Sequence, residues 1–69
     1  MKEFSLENNE FIPLCDLMKA ANLTGSGGEA KHIIAEGRVL VDGAVETRKR
    51  CKIRSGQLIE FEGKQVKVL

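Results

Sequence analysis

The chain has 69 residues, 42% of them apolar and 30% charged, with a net charge of +1. A chain this short buries only about 60% of its unfolded surface, which is consistent with one thin-cored domain over 1–69 and leaves little room for a deep catalytic pocket. No apolar run approaches the ~18 residues of a membrane span and no signal-peptide pattern opens the chain, so a soluble, cytoplasmic protein is expected.

In chain order, Lys2-Glu3-Phe4-Ser5-Leu6 alternates and reads as a short strand with Phe4 and Leu6 on one side. Pro13 stands where a helix accepts a proline, and Leu14, Leu17, Met18 and Ala21 follow at helical spacing. Asp16 in the first turn suits the helix dipole. Asn22 to Gly25 ends this helix. Ser26 followed three residues later by Glu29 fits a capping box for a second helix. That helix turns Ala30, Ile33 and Ile34 inward and stops at Gly37. Lys31 and Arg38 fall on nearly the same outer face.

After Gly37 the period changes to two. Val39-Leu40-Val41 reads as a strand and Asp42-Gly43 as a hairpin turn. Ser55-Gly56 turns again, Gln57 to Glu62 is a strand with Ile59 and Phe61 on one face, and Glu62-Gly63-Lys64 is a third turn. Gln65 to Leu69 is the last strand, with Val66 and Val68 inward. The expected architecture is α+β, two helices packed on a small antiparallel sheet.

Between the first hairpin and Ser55 runs Arg48-Lys49-Arg50-Cys51-Lys52-Ile53-Arg54, five cations in seven residues with no acid among them. If this segment is extended, Arg48, Arg50, Lys52 and Arg54 share one face, roughly 6.6 Å apart in a row about 20 Å long. Such a row suits a polyanion backbone, and arginine is the residue favoured for phosphate forks. Charge is also uneven along the chain. Residues 1–30 hold two bases and five acids, a net of −3, whereas residues 31–69 hold nine bases and five acids, a net of +4. A dipolar protein with a basic half is an electrostatic docking candidate.

Catalytic chemistry has little support. His32 is the only histidine, no nucleophile motif surrounds a serine or cysteine, and the acids are scattered. Cys15 and Cys51 match no metal spacing, so no metal or cofactor is expected and both thiols should be reduced. The loop Gly25-Ser26-Gly27-Gly28 follows a helix and lacks a phosphate-loop ending. It could still bring a nucleic-acid backbone close to the amides of Ser26, Gly27 and Gly28, although Ser26 and Glu29 already cap that helix. Trp and Tyr are absent. Phe4 and Phe61 fall in apolar alternation, which favours recognition of folded RNA by shape and phosphates over base stacking.

From Ile12 to Phe61 the residues resemble a known family. The run Glu29-Ala30-Lys31, Ile34, Glu36-Gly37-Arg38-Val39 and Val41-Asp42-Gly43, with Gly56 to Phe61, resembles the RNA-binding domain of small-subunit ribosomal protein S-four, the alpha-L motif. The string Val41 to Ile53 looks most like short stand-alone bacterial proteins of the YbcJ type. The resemblance implies helix-helix-hairpin, with RNA on the second helix, the inter-helix loop and the hairpin. Lys31 and Arg38 carry over from the wider family, and Arg48, Lys49, Arg50 and Lys52 from the stand-alone proteins. The family often has arginine near Pro13, lysine near Asp16 and arginine near Gly27, and those positions are neutral or acidic here. The implied function is non-catalytic binding of structured RNA, ribosomal or transfer RNA, through one basic patch. The alternative is a protein-interaction module that docks its basic strand on an acidic or ribosome-associated partner.

Overall fold

The structure, a computed structural model, describes residues 2–69. Its elements are β1 (Lys2–Phe4), β2 (Ile12–Pro13), α1 (Leu14–Ala20), α2 (Gly27–Ala35), β3 (Leu40–Val41), β4 (Ala44–Val45), β5 (Lys52–Ile53), β6 (Leu58–Phe61) and β7 (Lys64–Val68). The α+β architecture expected from the sequence is present. The main sheet has the order β1-β7-β6-β3-β4, and β2 pairs with β5 in a separate two-stranded ribbon. The sheet is mixed rather than wholly antiparallel, because β1 runs parallel to β7, with Lys2 opposite Val66 and Phe4 opposite Val68. A parallel neighbour needs a long crossover, and the whole intervening chain supplies it.

Both helices end in the same way. After α1, Asn22 turns left-handed at φ 60°. Its N–H donates to Lys19 O at 3.0 Å and that of Leu23 to Met18 O at 2.9 Å. After α2, Gly37 takes φ 77°, a conformation that costs a glycine nothing. Its N–H donates to Ile34 O at 3.0 Å, and Arg38 N–H to Ile33 O at 3.4 Å. These are paired Schellman bonds, and they satisfy the last helical carbonyls. At the start of α2, Ser26 Oγ accepts from Glu29 N–H at 3.1 Å, and the Glu29 carboxylate accepts from Gly25 N–H at 3.0 Å. The capping box is therefore present, with the return bond one residue earlier than usual. Thr24, buried in the inter-helix loop, donates its hydroxyl to Ser26 O at 3.0 Å and pins that loop.

The core lies between the two helices and one face of the sheet. Leu14, Leu17 and Met18 of α1 and Ala30, Ile33 and Ile34 of α2 meet Val39, Ile59, Phe61, Val66 and Val68. All of these are buried, and Val41 is half-buried beside them. Period-two alternation thus placed the inward residues correctly from Ile59 onward. Asp42 and Gly43 both take positive φ, 51° and 83°, as a two-residue type I′ hairpin requires. The Asp42 carboxylate accepts from Leu58 N–H at 2.9 Å and Gln57 Nε2 at 3.1 Å, tying this turn to β6. No helix is long and apolar enough to cross a membrane among the described residues.

Candidate nucleic-acid interface

Helix α1 begins at a proline that offers no side-chain cap. Its first free N–H groups instead find the basic segment. Leu14 N–H donates to Cys51 O at 2.9 Å and Cys15 N–H to Lys49 O at 3.1 Å. The β2–β5 ribbon lies alongside, pairing Ile12 with Ile53 and Pro13 with Lys52. Backbone carbonyls of the cationic run therefore cap a helix whose inner face is buried, and this fixes the run in space while its Lys and Arg side chains stay exposed.

That arrangement changes the geometry expected from the sequence. Cys51 N–H donates to Arg48 O at 3.1 Å, so Arg48 to Cys51 is a closed turn and not an extended strand. The single-faced row of four cations does not run through it. Only Lys52 and Arg54 keep the alternation, because β5 is only two residues long. Arg48, Arg50 and Lys52, with Cys51, instead line a shallow open groove.

Glu46 organises one end of this turn. Its carboxylate, 17% exposed, accepts from Arg48 Nε and Nη2 at 3.0 Å each, and from the Arg48 backbone N–H at 3.0 Å. The side-chain fork and then the backbone bond draw the Glu46 carboxyl down from 4.5 to about 2. The same fork raises Arg48 above its ordinary value. Cys51 Sγ lies 3.5 Å from both Glu46 Oε1 and Arg48 Nη2. Burial, with help from Glu46, pushes this thiol up, so the neighbouring guanidinium does not activate it. Both cysteines are free thiols, Cys15 buried and Cys51 half-buried.

Arg38 is engaged elsewhere. Its guanidinium meets Glu62 at 2.7 Å and Glu36 at 3.3 Å, and its carbon lies 5.4 Å from the centre of the Phe61 ring. It clasps the exit of α2 to the turn between β6 and β7. Lys31 stands half-buried on α2. Among the described residues, Lys31, Lys49, Arg50, Lys52 and Arg54 form no ion pair, since the ion pairs belong to His32, Arg38 and Arg48. Gly27 and Gly28 begin α2 with open space around them: a Cβ on Gly27 would meet nothing within 4 Å, and one on Gly28 only Ser26 Oγ at 3.9 Å.

Two participants were not singled out from the sequence. Glu46 is one, and its only signal is a carboxylate two residues before an arginine. Phe11 is the other. Lys52 Nζ stands 5.0 Å and the Arg54 guanidinium 5.9 Å from the centre of its ring. The signal was an aromatic that fits no apolar period, placed just before the Ile12–Pro13 strand.

Two helices with a tight hairpin behind them, and a cationic turn seated on a helix start, define a small α+β module of one known family. Residues 4–69 match the S4 domain family, and the chain belongs to it. It is 54% identical over 69 residues to YbcJ of Escherichia coli K12, named as a candidate RNA-binding protein, covering 100% of this chain and 99% of that one. It is 36% identical over 56 residues to RlbA of Bacillus subtilis, named as a probable ribosome maturation protein, covering 81% of this chain and 79% of that one. The solution structure of Escherichia coli YbcJ, described as having an alpha-L motif involved in RNA binding, superposes with a TM-score of 0.78. That match covers 100% of this chain and 87% of the other.

Proposed function

We propose that this protein binds structured RNA without catalysing a reaction. The observation that carries the reading is the cationic turn. Its backbone is consumed in capping α1, and Lys49, Arg50 and Lys52 are left without carboxylate partners. Charges held on a fixed frame meet phosphates with little loss of freedom on binding. In this reading Lys31 on α2 and the amides of Ser26, Gly27 and Gly28 would add contacts from the second helix. Arg38 and Arg48 join it through guanidiniums that must share or release Glu62 and Glu46. The alpha-L motif of the YbcJ structure, described as involved in RNA binding, supports the reading, and the name of the Bacillus subtilis relative favours ribosomal over transfer RNA. The partner is then a folded ribosomal RNA element, read by shape and phosphates.

The test is fluorescence anisotropy with a labelled ribosomal RNA stem-loop at low salt. The intact protein should bind. The variant Lys49→Ala, Arg50→Ala, Lys52→Ala should bind at least tenfold more weakly while its circular dichroism is unchanged. Equal affinity of the folded variant, or no binding by the intact protein, overturns the proposal. In the second case, capture of a partner that survives nuclease treatment would point to protein docking.

A further inference from the structure

We infer that Phe11, with Lys52 and Arg54, forms a seat for one unpaired nucleobase of the bound RNA. The inference rests on the RNA-binding reading and adds a contact to a base.

The seat has a built geometry. In the β2–β5 register Ile12 faces Ile53 and Pro13 faces Lys52, so Phe11 and Arg54 come next along the same pair. Residues facing each other share a side of the ribbon, as do residues two apart, which places Lys52 and Arg54 on the side of Phe11. The distances agree, at 5.0 Å and 5.9 Å to the ring centre. Phe11 is half-buried rather than in the core. It also lines a cavity of about 370 Å³, with apolar Phe4, Leu6 and Pro13 and polar Ser5, Glu7 and Asn9 in the lining. That volume lies in the range of small-ligand sites. The cavity and the cationic groove adjoin at the ribbon, because Pro13 lines one, its partner Lys52 lines the other, and the two are paired.

Charge complementarity names the occupant. A cavity with both apolar and polar walls, beside the unpaired cations Lys52 and Arg54, fits a flat aromatic group joined to a phosphate, which is a nucleotide. A cation–π contact near the surface is worth only about 0.5–1 kcal/mol, little beside a phosphate contact. Lys52 can swing to the phosphate, and the Arg54 guanidinium can lie on the far face of a base that stacks on Phe11. Aromatic rings and arginine planes are the two platforms on which splayed RNA bases stack. Glu7 and Asn9 Oδ1 in the lining offer acceptors to exocyclic amino groups. Such a site is tolerant of base identity but requires that the base be unpaired.

The experiment compares two RNA stems of equal length, one fully paired and one with a single bulged nucleotide, in parallel anisotropy titrations. The intact protein should prefer the bulged stem roughly tenfold, the worth of one stacked base. Phe11→Leu, which keeps an apolar side chain there, should bring the affinity for the bulged stem down to that for the paired stem. With 5-iodouridine at the bulge, irradiation should crosslink the intact protein at Phe11, a readout that needs no variant. Equal binding of both stems, a preference that survives Phe11→Leu in a folded variant, or a crosslink mapped elsewhere overturns the inference while leaving RNA binding intact. Failure to bind either stem at low salt overturns the RNA-binding reading itself, and this inference with it.

Discussion

Glu46 accepts three hydrogen bonds from Arg48, two from the side chain and one from the backbone, and its acidity records them. The Arg48 fork and backbone N–H draw the Glu46 carboxyl from an ordinary 4.5 down to about 2. In the folded state it therefore holds fewer protons than in the unfolded state over that interval. Its stabilising contribution is complete above pH 4.5 and is lost as pH falls toward about 2. Glu46→Gln cannot titrate, so its urea midpoint should change less between those pH values than that of the intact protein. Asp42, also lowered, first by Leu58 N–H and then by Gln57, should retain the remainder of the slope. Identical pH slopes for the two proteins would show that the fork contributes nothing to folding. At this scale the sequence disclosed which residues are cationic but not which are already neutralised. Arg48 and Arg50 look equivalent in the chain, and only the fold hands a carboxylate to one of them.

Among the elements, the two kinds of glycine make opposite demands. Gly43 sits at φ 83° in the first hairpin, where an L side chain is strained. Gly27 begins α2 with nothing within 4 Å of a would-be Cβ. Gly43→Ala should destabilise by about 1 kcal/mol or more, and Gly27→Ala should stabilise by about 0.4–1 kcal/mol, both read from urea unfolding. A stability gain in Gly27→Ala accompanied by weaker RNA binding would indicate that an RNA backbone approaches that helix start closely. These local features were legible because each depends on a few adjacent residues: Asp42-Gly43 dictates its own turn, and Ser26 with Glu29 its own cap. The β2–β5 ribbon was not legible. Two residues carry no period, and the partner of Ile12 lies 41 positions away at Ile53. The closed turn at Lys49–Arg50 was missed for the same reason, since what bends it is the need of α1 for carbonyls at its first turn.

The molecule as a whole is nearly neutral, so its RNA affinity depends on where the charges stand. If Lys31, Lys49, Arg50, Lys52 and Arg54 each meet a phosphate, log K against log salt should fall with a slope of roughly −3.5 to −4.5, at about 0.7–0.9 per contact. Removing one unpaired cation, as in Arg50→Ala, should shallow that slope by about one. Arg48→Ala should change it less, because Glu46 already neutralises that guanidinium. Equal slopes for the two single variants would mean that the Glu46 fork opens on binding.

The parallel strand β1 has one strand neighbour, β7, which pairs Lys2 with Val66 across 64 positions. Leu69 N–H adds a bond to Phe4 O at 2.9 Å. Among the described strands, the first to be synthesised is therefore the last to gain its partner. Helices and two-residue hairpins can close as they emerge, because their partners are near in sequence. Phe4 must wait for Val68, a non-local pairing of the kind that forms late. A chain ending before residue 64 would carry β1 without its strand partner. The pairing that completes the sheet is thus the one that joins the segments farthest apart in the chain.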